Sequence, residues 1–191
     1  MSGKTMPAKT NHEDLANLAK WDSRLFVDPV SLPFSFLYDG RKIAGIPADW
    51  NPIIQRRRLD ANLLETVYTG QDPISRLSVR CELVEYQDYP VVEWVVWLVN
   101  EGQEASGLIE DVLGLDARFE GGAARLAHSN GDYYSIDGYT PRVSSLAAGE
   151  QVRFAPTGGR PCDGAFPYFR LLFADGGLTL AVGWPAQWSA E

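Results

Sequence analysis

The stretch "RLSVRCELVEY" alternates polar and apolar positions from Arg76 to Leu83. Leu77, Val79, Cys81 and Leu83 fall on one face, and Arg76, Ser78, Arg80 and Glu82 on the other. A period of two with one wet face predicts an antiparallel strand half exposed to solvent. The next apolar run, "VVEWVVWLV", breaks that rule. Val91, Val95, Trp97 and Val99 line one face, Val92, Trp94, Val96 and Leu98 the other, and Glu93 is its one polar residue. Such a run predicts a strand buried from both sides, with Trp94 and Trp97 both in the core.

Turn signals divide the rest of the chain. In "FSFLYDGRKI", Asp39-Gly40 between two apolar alternations predicts a hairpin. "YQDYP" and "NEGQEASG" read as turns on either side of the doubly apolar run. Further strands are expected in "LIEDVLGLDARF", in "ARLAHSNGDYYSI" with its Asn130-Gly131 turn, and in "EQVRFAP", "YFRLLFADGG" and "LTLAVGW". Helical signal is confined to "NHEDLANLAK", where Asn11 can cap and acids occupy the first turn. Everything after Trp21 reads as strand and turn. The expectation is an all-β chain: a large antiparallel β-sandwich of the supersandwich kind, of roughly nine strands, over residues 21–191. A tail or one short N-terminal helix over residues 1–20 precedes it.

Composition changes this picture little. The 191 residues suit one domain with a real core, and 45% hydrophobic with 22% charged residues is ordinary for a globular chain. The formal net charge of −8 bears on partners. Acids outnumber bases 25 to 17, which argues against nucleic acid. Arg56-Arg57-Arg58 is the one basic cluster and reads as a solvated loop. No apolar run approaches the roughly 20 residues of a membrane span, and the opening residues lack the apolar stretch of a secretory signal. The expectation is a cytoplasmic protein with no membrane partner.

Candidate chemistry is sparse. The two histidines are His12, in the expected N-terminal tail, and His128, at a strand end, and these places argue against a catalytic triad and against a histidine metal centre. Cys81 and Cys162 have no metal-ligand spacing and make no disulfide framework. Phosphate-cradling glycine motifs are missing, so no cofactor and no metal is expected. Glu110, Asp111, Asp116, Asp137 and Asp163 supply carboxylates of the kind glycoside hydrolysis uses in pairs. Beside turns, such residues more often cap backbone amides. Aromatic rings stack on sugar faces, and Trp50, Trp184 and Trp188 at strand ends are open both to a sugar and to another protein layer.

The stretches "LPFSFLYDGR", "YPVVEWVVWLVNEG", "LIEDVLGLD", "HSNGDYYSIDGYTP" and "FAPTGGRPCDGAFPYFRLLFADGGLTLAVGWPAQW" carry a resemblance. In this order, from about Trp21 onward, they resemble the N-terminal region of bacterial α-galactosidases of glycoside hydrolase family 36, the melibiase group. The resemblance implies a β-sandwich beside a catalytic (β/α)8 barrel. Two barrel aspartates there act as nucleophile and as acid then base, with retention. Neither is in this chain, so it implies no catalytic residue here, a sandwich incomplete at its C-terminal end, and a barrel supplied in cis or in trans. Implied partners are an α-galactoside and a second copy of the chain in a homo-oligomer.

The rim segment of such enzymes corresponds to "GIPADWNP", which implies substrate contacts for Asp49 and Trp50. Asp163 and Trp188, in the best-matching stretch, complete the candidate substrate-binding set. Asp163, like Asp137, reads first as a turn-stabilising acceptor of backbone hydrogen bonds. Two other readings stand beside this one. The chain is a stand-alone carbohydrate-binding sandwich that stacks sugar on Trp50, Trp184 or Trp188, or it is an interaction subunit that completes a separately encoded barrel.

Overall fold

The computed structural model describes residues 12–119, 122–131, 135–147, 149–174 and 176–191. It is an all-β fold with one N-terminal α-helix, and its strands form three antiparallel sheets. The chain divides into two compact units, Met1–Arg118 and Phe119–Glu191. No helix among the described residues is long and apolar enough to cross a membrane.

The first unit opens with α1 (His12–Leu25). Glu13 and Asp14 sit in its first turn and Arg24 in its last, the charge order that favours the helix dipole. Asn11, the expected cap, lies outside the described residues. The helix runs past Trp21, where strand was expected. Leu15, Leu18, Trp21 and Leu25, spaced three and four apart, continue one half-buried stripe through the added turn.

Strands β1 (Ser35–Tyr38) and β2 (Arg41–Ala44) form the expected hairpin. Asp39 and Gly40 have φ of 48° and 74°, the pair of left-handed residues that a two-residue hairpin turn requires. β3 (Ile53–Arg58), β4 (Leu63–Gln71), β5 (Leu77–Tyr86) and β6 (Val92–Asn100) build a four-stranded sheet in that order. β7 (Ile109–Leu113) returns to pair with β1, giving a second sheet of order β2-β1-β7. Phe36 and Ile43 from the smaller sheet share one core with Tyr68, Leu77, Val79, Cys81 and Leu83 from the larger. Two sheets around one core make this unit a β-sandwich. The Tyr68 hydroxyl donates to the Phe26 carbonyl, so this buried polar end is satisfied.

Two expectations in this unit are corrected. Arg56–Arg58 is not a loop but part of β3, paired residue by residue with β4. An exposed edge strand tolerates such charges, and they discourage pairing with another chain. Trp97 is not core. β6 is the other edge of the sheet and sits on the core with Val92, Trp94, Val96 and Leu98 alone. Trp97 is 51% exposed, and Val95 and Val99 share its face. Trp94 behaves as expected, and its indole N–H donates to the Gly114 carbonyl at 2.8 Å.

The second unit holds β8 (Ala124–His128), β9 (Arg142–Leu146), β10 (Tyr168–Phe173) and β11 (Gly176–Ala181), in sheet order β11-β10-β8-β9. Leu126, Ala165, Phe169 and Trp188 are its buried core. The strand expected in "EQVRFAP" is reduced to a single bridge between Phe154 and Ala190, two residues before Pro156, which can donate nothing to a ladder. β8 pairs with Arg142–Leu146 instead. Tyr133 and Tyr134, part of the expected strand after Asn130-Gly131, lie outside the described residues.

Candidate functional site

The four candidate substrate-binding residues fall two in each unit. Asp49 is exposed on a short 3-10 turn, Ala48–Trp50, closed by Asn51 in the left-handed region at φ 50°. Trp50, its neighbour, is 2% exposed and belongs to the first core. Trp188 is 7% exposed, packs edge-on to Phe169 at 5.6 Å and donates its indole N–H to the Pro161 carbonyl at 2.7 Å. Stacking on a sugar needs an open ring face. Trp50 and Trp188 offer none, and burial corrects both as stacking residues. Trp184, the third tryptophan weighed for that role, is 62% exposed.

Asp163 and Asp137 stabilise their turns with the main chain. The Asp163 carbonyl accepts the Thr157 N–H at 2.8 Å, and the Asp137 carbonyl accepts the Thr140 N–H at 3.0 Å. The Asp163 carboxylate does not add to this. Its Oδ1 is buried and has no hydrogen-bond partner among the described residues.

Of the other carboxylates, Asp116 is the most engaged. Ser35 Oγ donates to its Oδ2 at 2.6 Å, and Lys42 Nζ stands 2.8 Å from the same oxygen. Lys42 first, and then Ser35, hold this carboxyl below the usual carboxylate range. The Asp116 N–H also donates to the Pro33 carbonyl at 2.8 Å. A depression of about 190 Å3 lies alongside, lined in part by Ser35, Lys42 and Asp111. Because Ser35 donates to an ionised acid and Lys42 is paired with it, neither serves as a free base. The cluster anchors the segment after β7 to the hairpin.

The remaining groups offer little reactivity. Burial, then the charge of Glu82, pushes the Cys81 thiol up to about 12, so it stays protonated and inert. Arg57 holds Glu65 below the carboxylate range through a two-pronged hydrogen bond. Among the described residues, no group of three or more His, Cys, Asp and Glu is placed to hold a metal ion.

His128 closes β8 with its ring 4.6 Å from Phe154 and its Nδ1 buried without a hydrogen-bond partner among the described residues. Burial, and then Arg142, depress its pKa below the ordinary 6.5. A base with a lowered folded pKa gives stability that is complete above the unfolded value and is lost as pH falls through the folded one. The second unit is therefore expected to melt lower at pH 5 than at pH 7.5. His128→Gln should flatten that dependence in a calorimetric or fluorescence melting series, and an unchanged pH slope in the variant would refute it.

Sequence reading missed the outer face of β10. In "YFRLLF", alternation sends Phe169 and Leu171 inward and leaves Tyr168 and Arg170 outward. The consecutive apolar residues Leu171, Leu172 and Phe173 mask that period of two in the sequence. Tyr168 is 51% exposed, and Thr179 stands beside Arg170 on β11. No family model, no curated protein and no solved structure matches the chain.

Proposed function

We propose that the chain is the N-terminal, non-catalytic β-sandwich of an α-galactosidase-like glycoside hydrolase, working beside a (β/α)8 barrel that carries the chemistry. The ordered run of resembling motifs supports this reading, and one structural observation carries it. Val95, Trp97 and Val99 form an apolar column on the outward face of the edge strand β6. Their cross-strand neighbours are Glu82, Arg80 and Ser78, so a polar border runs along the column. An apolar centre with a polar rim is the anatomy of a protein interface. In this reading the barrel, in cis or in trans, covers the column. The α-galactoside is bound and cleaved there, and the sandwich supports the barrel and the rim of its site.

The test is the native mass of the product, read with an antibody against this chain. The expected result is one of two species, each of which cleaves p-nitrophenyl α-galactoside. One is a polypeptide several times larger than 21.1 kDa; the other is a 21.1 kDa chain that co-purifies with a barrel chain. The isolated chain is expected to show no hydrolysis. A 21.1 kDa species that purifies with no barrel would overturn the proposal.

A further inference from the structure

The outer face of the second unit's sheet carries groups that its core does not use. Register places Ala181 beside Tyr168, Thr179 beside Arg170 and Gly177 beside Leu172. On the other flank, Ala127 lies beside Arg170 and Arg125 beside Leu172. The small neighbours leave the Tyr168 ring and the Arg170 guanidinium standing above the sheet. A side chain at Gly177 is ruled out by the backbone, because a Cβ there would come within 2.4 Å of the Leu171 carbonyl oxygen. The result is a depression of about 280 Å3 lined by Arg170, Leu172, Gly176, Gly177, Leu178 and Thr179.

Tyr168 does not line this depression but lies two residues from Arg170 along the same face of β10, and its ring is held in place. Tyr168 stacks on Phe166 at 5.1 Å and 20°, and Phe166 meets Tyr139 edge-on at 5.4 Å. The loop that carries Tyr139 is pinned where Gly131 N–H donates to the Gly138 carbonyl at 2.8 Å. The Phe166 N–H donates to the Ser129 carbonyl at 3.0 Å. A fixed aromatic ring loses little freedom when a ligand lands on it. Neither Arg125 nor Arg170 has an ion-pair partner among the described residues, in a chain of net charge −8. Each guanidinium presents five N–H donors, and Thr179 adds a hydroxyl that both donates and accepts.

We propose that this face binds a pyranose sugar, its C–H face on the Tyr168 ring and its oxygens held by Arg170 and Thr179. Few other ligand classes need an apolar face and a belt of oxygen acceptors at once. At about 280 Å3 the depression falls just below the usual range of ligand sites, about 300–1,000 Å3, and suits one sugar unit. Only the choice of galactosyl probes rests on the hydrolase reading. A neutral galactoside and a carboxylated sugar share the required chemistry, and the two arginines accept either.

The experiment is a titration of the full chain, followed by amide chemical shifts, with raffinose, with galacturonate and with sulfate. Saturable sugar binding is expected, weakened about tenfold or more in Tyr168→Ala and in Arg170→Ala, as befits loss of an anchor contact. Melting temperatures of both exposed-site variants should stay close to wild type. Raffinose binding that ignores salt identifies the neutral sugar, and salt-sensitive galacturonate binding identifies the carboxylated one. No saturable sugar binding, sulfate binding alone, or sugar binding unchanged in Tyr168→Ala and Thr179→Ala would each overturn the proposal. The hydrolase reading would survive such a failure, because the native mass tests it separately.

Discussion

Trp50→Ala is expected to lower the stability of the first unit by about 3–5 kcal/mol, the usual cost of removing a buried large aromatic, and to remove no ligand contact. The ring is 2% exposed and shares its cluster with Ile46 and Tyr68. Packing around it leaves no slack. A Cβ at Gly70 would lie 2.3 Å from Ile46 Cγ2 and 3.3 Å from the Trp50 carbonyl oxygen, so the neighbouring strand already approaches as closely as glycine permits. Relaxation into the hole is therefore limited, and the cavity cost adds to the transfer cost. Against a typical domain stability of roughly 5–15 kcal/mol, such a loss is a large share. Guanidinium unfolding is the measurement, with Trp50→Phe as the milder companion. A Trp50→Ala chain that unfolds at the wild-type midpoint would show that the ring is not core, and would reopen its role at a substrate rim.

Legibility followed the strength of the local pattern. β5 was readable because Leu77, Val79, Cys81 and Leu83 alternate with polar residues and have essentially no exposure. The hairpin was readable because Asp39-Gly40 is one of few pairs that accept two left-handed residues in a row. β9 was not, since "RVSSL" has too few apolar positions to display a period and becomes a strand by pairing with β8. The fates of the tryptophans were hidden for a different reason. Trp50 and Trp188 sit in irregular segments, where burial is set by residues far away in sequence. Trp97 sits in a regular one whose outward face is apolar, and only the sheet order reveals that β6 is an edge. Of the candidate site, the resemblance located segments rather than surfaces: Asp49 is exposed, while the ring next to it points into the core.

Trp97→Ser is expected to have the opposite profile to Trp50→Ala: little change in stability and a large loss of partner binding. Half of the Trp97 surface is already in water, so truncation leaves no sealed cavity, and a change within about 0.5 kcal/mol is the norm for such positions. Interface energy, by contrast, concentrates in a few central aromatic residues, whose truncation costs about 2 kcal/mol or more. Trp97 is central here. Val95 and Val99 flank it along β6, and Arg80 stands across from it, its guanidinium 2.5 Å from Glu82. That pairing keeps the rim charge neutralised when an apolar layer arrives. The measurement is co-purification of the chain with an α-galactosidase barrel expressed alongside it, followed by chromatography of the complex and by unfolding of the isolated variant. Trp97→Ser should lose at least about thirtyfold in affinity, the equivalent of 2 kcal/mol, and Val95→Ser should follow it in part. A variant that binds the barrel as well as wild type would separate the column from the barrel. A variant that unfolds easily would place Trp97 in the core after all.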